Sequence, residues 1–529
     1  MAVSRREFFG VTAAAGLAGL VRLEGQPVPS PRKVFRHGVA SGDPLSDRVI
    51  LWTRLTAPDS STPEVQWEVA ADTAFKRVVV RGTTETGWER DFTIKIDAGG
   101  LRPATTYYYR FQSLGERSPI GRTRTLPARG AAHLRLAIVS CSNFPFGYFN
   151  VYGRIARRAD LDAVVHLGDY LYEYGNATYG DGTKLGRIPD PNREIISIGD
   201  YRQRHAQYKS DPDLQEAHRQ HPWITTWDDH EVANNTWRAG AENHQPDRGE
   251  GSFGARRDAA IQAYFEWMPI REDRATRQPR IYRTFDFGGL ADVIMLDTRV
   301  IDRDQQAVRR DDLEIVDDPA RSVLGRAQEE WFYQELRESK RAGTRWQLIG
   351  QQIPFAPLSL PGAATLSTDT WEGYRPARTR FTEAITKLHL QNSVILTGDV
   401  HSSWGYDIAV NPFDGYDAAS GRGTIAVEIV APSVTSPSGF GNTPEEVVKR
   451  AAKYRAERPH LRYVDGALRG YVVLDVTRER LQADWFYVPT VTERSTAESF
   501  GKGLVSAAGH PHLLDAATPA GTKSSADPA

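Results

Sequence analysis

The sequence predicts a multi-domain chain in which an all-β unit precedes a larger α/β domain. Three observations carry this. The length of 529 residues exceeds one ordinary domain. Short strand-like runs crowd the stretch from Val34 to Leu126. From Leu134 onward, apolar strand-like runs alternate with helical segments.

In the first stretch the runs are Val49–Thr53, Val65–Val69, Val78–Val80, Phe92–Ile96 and Tyr107–Phe111. Several alternate apolar and polar residues, and turn residues separate them, which predicts a β-sandwich over residues 34–127. The segment Gly100–Tyr109 is similar to a strand corner of fibronectin-III or Ig-like sandwiches. Such a unit is expected to act as a spacer, lid or binding module.

In the second stretch, strands are expected at Leu134–Val139, Asp162–Leu167, Asp292–Leu296, Trp346–Ile349, Ser393–Leu396 and Ile425–Val430. Helices are expected at Phe149–Ala159, Ala255–Trp267, Arg326–Lys340 and Pro376–His389, with a closing hairpin at Tyr471–Val476 and Leu481–Tyr487. The pattern predicts an α/β domain with mixed sheets over residues 133–490. Residues 491–529 form a C-terminal extension. After about Gly509 it is polar, rich in small residues and Pro-containing, so disorder is expected there.

The composition, with 40% hydrophobic and 25% charged residues, is that of a globular chain. A net charge of -1 gives no overall nucleic-acid signature. The single cysteine, Cys141, excludes an intramolecular disulfide; an isolated cysteine is commonly a small buried apolar residue. At the N-terminus, Ser4-Arg5-Arg6-Glu7-Phe8-Phe9 precedes the short apolar run Gly10–Val21. Residues 1–30 therefore predict a signal peptide similar to the twin-arginine (Tat) type, with an amphipathic or unstructured terminus as the alternative. Export to the periplasm or beyond, with the Tat translocase as a passing partner, is the expectation.

Polar residues gather where apolar strands end, at Ser140-Cys141-Ser142-Asn143, Gly168-Asp169-Tyr170-Leu171-Tyr172-Glu173, Trp227-Asp228-Asp229-His230-Glu231-Val232-Ala233-Asn234-Asn235, Asp297-Thr298-Arg299 and Gly398-Asp399-Val400-His401. An α/β domain builds its sites on such loops. Taken singly, each Asp could cap a helix and each His could be a packed core residue. Together they supply Cys, Asp, Tyr, Asn and His, all metal-ligand types. Carboxylates gathered in one cleft also call for a cation. The spacing of Asp169 and Tyr172 suits one turn. Asp399 and His401, two apart, suit an extended backbone that sends both the same way. Gly168 and Gly398 allow close backbone approach. Asp297 and Arg299 either orient ligands or pair with each other.

The set resembles the metallophosphoesterase superfamily and, within it, the PhoD-type alkaline phosphatase/phosphodiesterase family. The resemblance covers nearly the whole chain, from the Arg-Arg signal through His37–Pro44 and the strand-rich stretch to the loop motifs in order. It implies an α/β/β/α sandwich for the catalytic domain. It implies an Fe3+ held by Cys141, Tyr172 and His401, with Asp169 bridging to a second cation. It also implies Ca2+, two ions, with Asp399 and Asn235 as ligands. Asp229 and His230 would act at the phosphate, Asp229 as a further candidate ligand. Asp228, Asn234, Asp297, Arg299 and Gln352 would support the site, although Gln352 stands where some relatives have a histidine.

The implied reaction is attack by cation-activated hydroxide on small phosphate mono- and diesters, with phospholipids or nucleic-acid diesters as further substrates. The rival readings are a phospholipase D-like or nucleotide phosphodiesterase of the same superfamily, and a non-catalytic binding protein with a decayed site. No stable nucleic-acid or membrane partner is expected.

Overall fold

The computed structural model describes residues 33–523 apart from 59, 273–279, 364–365 and 442. The N-terminal Arg-Arg segment lies outside the described residues. Two large sheets face each other. The first has ten strands, in the order His510–Ala516, Ser499–Ala507, Arg480–Val488, Arg469–Thr477, His133–Val139, Ala163–His166, Pro222–Thr225, Val39–Gly42, Arg48–Arg54 and Thr93–Gly99. The second has seven: Arg283–Asp286, Ala291–Met295, Trp346–Gly350, Ser393–Thr397, Thr424–Val430, Ser403–Ala409 and Leu461–Asp465.

The facing sides form one apolar core that includes Leu136, Ile138, Val165, Val293, Leu348, Val394, Val427 and Leu474. The helices Asn150–Ala156, Pro212–Gln220 and Phe253–Trp267 contribute to a second core on the outer side of the ten-stranded sheet. Gly325–Ala342 and Arg375–Lys387 contribute to a third on the outer side of the other sheet. The central strands read as continuous apolar runs because both of their faces are covered. Ser252 caps Phe253–Trp267 by accepting the Ala255 amide, and Gly343 closes Gly325–Ala342 in the left-handed region with Lys340 and Arg341 in its last turn.

Register brings the loops together. In the first sheet Val139 pairs with His166 and His166 with Thr225, in parallel. In the second, Met295 pairs with Gly350 and Gly350 with Leu396, also in parallel. The carboxyl ends of six central strands are therefore level, three in each sheet. A parallel bridge between Ser140 and Ser433 links the loops of the two sheets at that end.

Two expectations need correction. The 34–127 segment packs two sheets around a core of its own that includes Val49, Val65, Ile94 and Tyr109, but one of those sheets is not separate. Its five-stranded sheet, which includes Glu64–Ala70 and Thr106–Ser113, is its own, but Val39–Gly42, Arg48–Arg54 and Thr93–Gly99 extend the large ten-stranded sheet through parallel pairing of Ser41 with Pro222. The stretch after Gly509 is not disordered as far as it is described. His510–Ala516 pairs with Ser499–Ala507 at the sheet edge, and Leu504 and Leu513 are buried in the central core. Pairing with a distant edge outweighs a polar composition, and local pattern carries no sign of it.

Candidate metal centre

The level strand ends build a cavity of about 210 Å³ lined by Asp169, Tyr174, Tyr179, Asp229, His230, Asn234, Asn235, Asp399 and His401. Ligand atoms of Cys141, Asp169 and His401 lie within 4.8 Å of one another. So do those of Asp169, Asp229 and His230, and those of Asp228, Asp229 and Asp399. Three contiguous groupings thus share Asp169 and Asp229.

The backbone aims these side chains by unusual means. Cys141, Asp169, Asn235, Asp399 and His401 all have φ between 52° and 62°, the left-handed region. Five such residues in one site mark local strain that the surrounding loops must hold. Asp399 and His401 therefore reach the site through left-handed turns, not through the extended backbone expected from their spacing. The glycines act as anticipated. A Cβ on Gly168, whose φ is +104°, would fall 2.5 Å from the Asp228 amide nitrogen, and one on Gly398 would meet the Ser140 Cβ at 3.0 Å.

Tyr172 sits at the centre of the first grouping. Its hydroxyl is 2.8 Å from Asp169 Oδ2, 3.1 Å from His401 Nε2, and accepts from Ser436 Oγ at 2.7 Å. The ring of His401 is fixed because Nδ1–H donates to the Pro437 carbonyl at 2.9 Å, which leaves Nε2 with a lone pair facing inward. Burial, then the neighbouring Asp169, pushes the Cys141 thiol up, and burial with Asp169 and Cys141 does the same to the Tyr172 phenol.

His230 presents Nε2 to the cavity because Nδ1 is 2.7 Å from the fully buried Glu173 carboxylate. Burial opposes the charged imidazole, but Glu173, Asp229 and Asp169 together hold it well above the ordinary histidine range. The other Glu173 oxygen accepts from the Asn234 amide and from Asn243 Nδ2. Asn235 donates its backbone N–H to Asp229 Oδ2 at 2.6 Å and its side-chain NH2 to Glu242, and its backbone carbonyl accepts from Gln306, which leaves the side-chain oxygen as its donor atom for a cation.

Arg299 is fully buried and spans the opposite wall. It donates to Asp228 at 2.5 Å, to Asp399 at 2.6 Å and to both oxygens of Asp369 at 2.8 and 2.9 Å. Of the two alternatives for Asp297 and Arg299, the arginine reaches out to the site's carboxylates, whereas Asp297 accepts the amides of Arg299, Val300 and Ile301 and shapes its own loop. Gln352 is a structural tie. Its oxygen accepts from Thr298 and its nitrogen donates to Thr226 and Leu296, which leaves no group for a ligand role.

A cation fits this donor set. Asp169 Oδ1 and Asp228 Oδ2 are buried without a hydrogen-bond partner. Burial drives the Asp228 carboxyl well up, and burial with Asp369, Asp229 and Asp169 pushes Asp399 up to about 7, despite Arg299 beside both. Carboxylates this crowded and dry are stabilised in their charged form by a positive ion among them.

Sequence reasoning missed Glu173 as the support of His230, Glu231 as the buried acceptor of the Asp169, Tyr170 and Asp228 amides, and Asp369 and Tyr179. Glu173 and Glu231 stand inside the quoted loops and could have been singled out. Asp369 follows no apolar strand, so nothing local marked it.

The profile of the PhoD-like phosphatases matches residues 136–485, and that of their N-terminal domain matches residues 23–127. The chain belongs to the PhoD-like phosphatase family. It is 40% identical over 485 residues to alkaline phosphatase D of Bacillus subtilis (strain 168), covering 88% of this chain and 79% of that one. A solved structure of PhoD superposes with a TM-score of 0.83 at 36% identity, covering 92% of this chain and 93% of the other. Membership makes this chain a phosphoric ester hydrolase.

Proposed function

We propose that the protein is an exported, metal-dependent alkaline phosphatase that hydrolyses phosphate mono- and diesters at the strand-end cavity. The observation that carries this reading is the packing of carboxylates and two imidazoles around one small cavity, with the Cys141 thiol and the Tyr172 phenol beside Asp169 and His401 and with buried carboxylate oxygens left unpartnered.

Cys141, Asp169, Tyr172 and His401 would hold Fe3+. Asp228, Asp229, Asn235 and Asp399 offer the hard oxygen donors that suit Ca2+. Bound there, the cations would polarise water and neutralise the phosphate's charge. The residues of the chain do the rest. Arg299 keeps Asp228 and Asp399 in place, and its charge favours their ionised form. Glu173 holds His230 so that Nε2–H points at the ester. As the water oxygen, having lost one proton to solvent, bonds to phosphorus and the phosphorus–oxygen bond to the alcohol breaks, His230 gives its proton to the leaving oxygen.

Elemental analysis of the purified protein with a parallel assay tests this. Iron and calcium should be present, chelation should remove both metal and turnover, and Cys141→Ala should lose iron and activity together. Full activity and full iron content in that variant would refute the assignment.

A further inference from the structure

We propose that Tyr179, backed by Tyr174 and Phe146, forms a stacking subsite for the alcohol portion of the substrate, so that esters carrying a nucleobase or another flat ring are preferred. The inference rests on the strand-end cavity being the site of phosphate-ester hydrolysis.

The cavity is small. At about 210 Å³ it falls below the roughly 300 Å³ at which pockets begin to enclose a whole drug-sized ligand. A phosphoryl group fits, and the alcohol must leave over the rim. The rim next to His230 is aromatic. The Tyr179 ring lies nearly parallel to the His230 imidazole, 14° between planes and 6.3 Å between centroids. An alcohol whose oxygen meets His230 Nε2 therefore emerges beside Tyr179.

Tyr179 is also held as a platform. Phe146 meets it edge-on at 5.3 Å and 73°, Tyr174 contacts it at 5.7 Å, and Tyr172 stacks at 6.0 Å and 29°. Its hydroxyl is 3.5 Å from His401 Nδ1. Yet 37% of the residue is exposed, an unusual exposure for a ring supported from several sides. A large rigid ring with an open face, braced in advance, is what stacking recognition needs, because little ordering is left to do when the ligand arrives.

Adenosine 5′-monophosphate and ribose 5-phosphate test this cleanly, since both leave through the same kind of primary alkoxide and differ by the base. The intact metal-loaded enzyme should show a kcat/KM for adenosine 5′-monophosphate roughly tenfold higher, carried by KM, within the range stacking on one aromatic ring gives. Tyr179→Ala should bring the ratio of the two substrates to about one, and Tyr179→Phe should keep it. A ratio near one in the parent enzyme, or one unchanged in Tyr179→Ala, overturns the subsite while leaving the phosphatase reading intact. Turnover of neither ester overturns both.

Discussion

Arg299 makes the strongest case for reading this site by individual charges. Three carboxylates converge on a guanidinium with no exposed surface of its own. Removing one member of such a buried set leaves the others uncompensated, at a cost of about 3–5 kcal/mol. Arg299→Met should therefore lower thermal stability by an amount readable in a calorimetric scan and should abolish turnover; native stability and activity would contradict its role. Glu173 acts on the reaction through His230, while its other oxygen ties down the Asn234 amide and Asn243. Glu173→Gln removes the charge that keeps the imidazole protonated but preserves the shape. The variant should fold normally and lose kcat by roughly 10²-fold, the lower end for a general acid, with little change in KM. The alkaline limb of its pH–rate profile, which should move to lower pH as His230 loses its proton more readily, and not its melting temperature, is the discriminating measurement.

The helix Ile198–Lys209 shows what an element contributes. It starts with a capping box, Ser197 and Asp200, and no long apolar stripe announces it. It carries His205 into the packing against Trp267, whose ring stacks at 12° and 6.1 Å. Burial, reinforced by Lys209, lowers His205 to about 3 from the ordinary 6.5. The unfolded chain takes up this proton below about pH 6.5, while the folded chain resists until about pH 3. Stability conferred by the neutral ring is thus complete above pH 6.5 and declines as the pH falls toward 3. His205→Phe keeps a ring in the slot and cannot titrate. Its melting temperature should fall less than the parent's between pH 7 and pH 5; an identical slope would assign the acid sensitivity to other groups.

At the scale of the whole molecule, the ten-stranded sheet is assembled from three distant parts of the chain: residues 39–99, 133–225 and 469–516. The site sits where that sheet and its seven-stranded partner end together, so the site depends on the completed fold. This bears on the proposed export. A centre whose proposed ligands come from Cys141 to His401 would exist only after folding, and Tat-type translocation of a folded protein would suit it. Changing Arg5 and Arg6 together to Lys should leave active, metal-containing enzyme in the cytoplasm of an expressing bacterium. Undiminished activity outside the cytoplasm would argue against this route.

The sequence by itself determined many of the strand runs, half of the α-helices of the α/β part, and the loops at which the donors lie. Those features follow from local periodicity and from side-chain chemistry that survives in one dimension. It did not determine that residues 39–54 would join the catalytic sheet or that His510–Ala516 would form its edge, because strand pairing is a contact between distant segments. Nor did it reveal that Asp399 and His401 would turn through left-handed backbone, that Gln352 would be saturated by its neighbours, or that Asp369 would meet Arg299. Such outcomes are set by which hydrogen-bond partners and charges the packed chain brings within reach, and only the tertiary structure decides that.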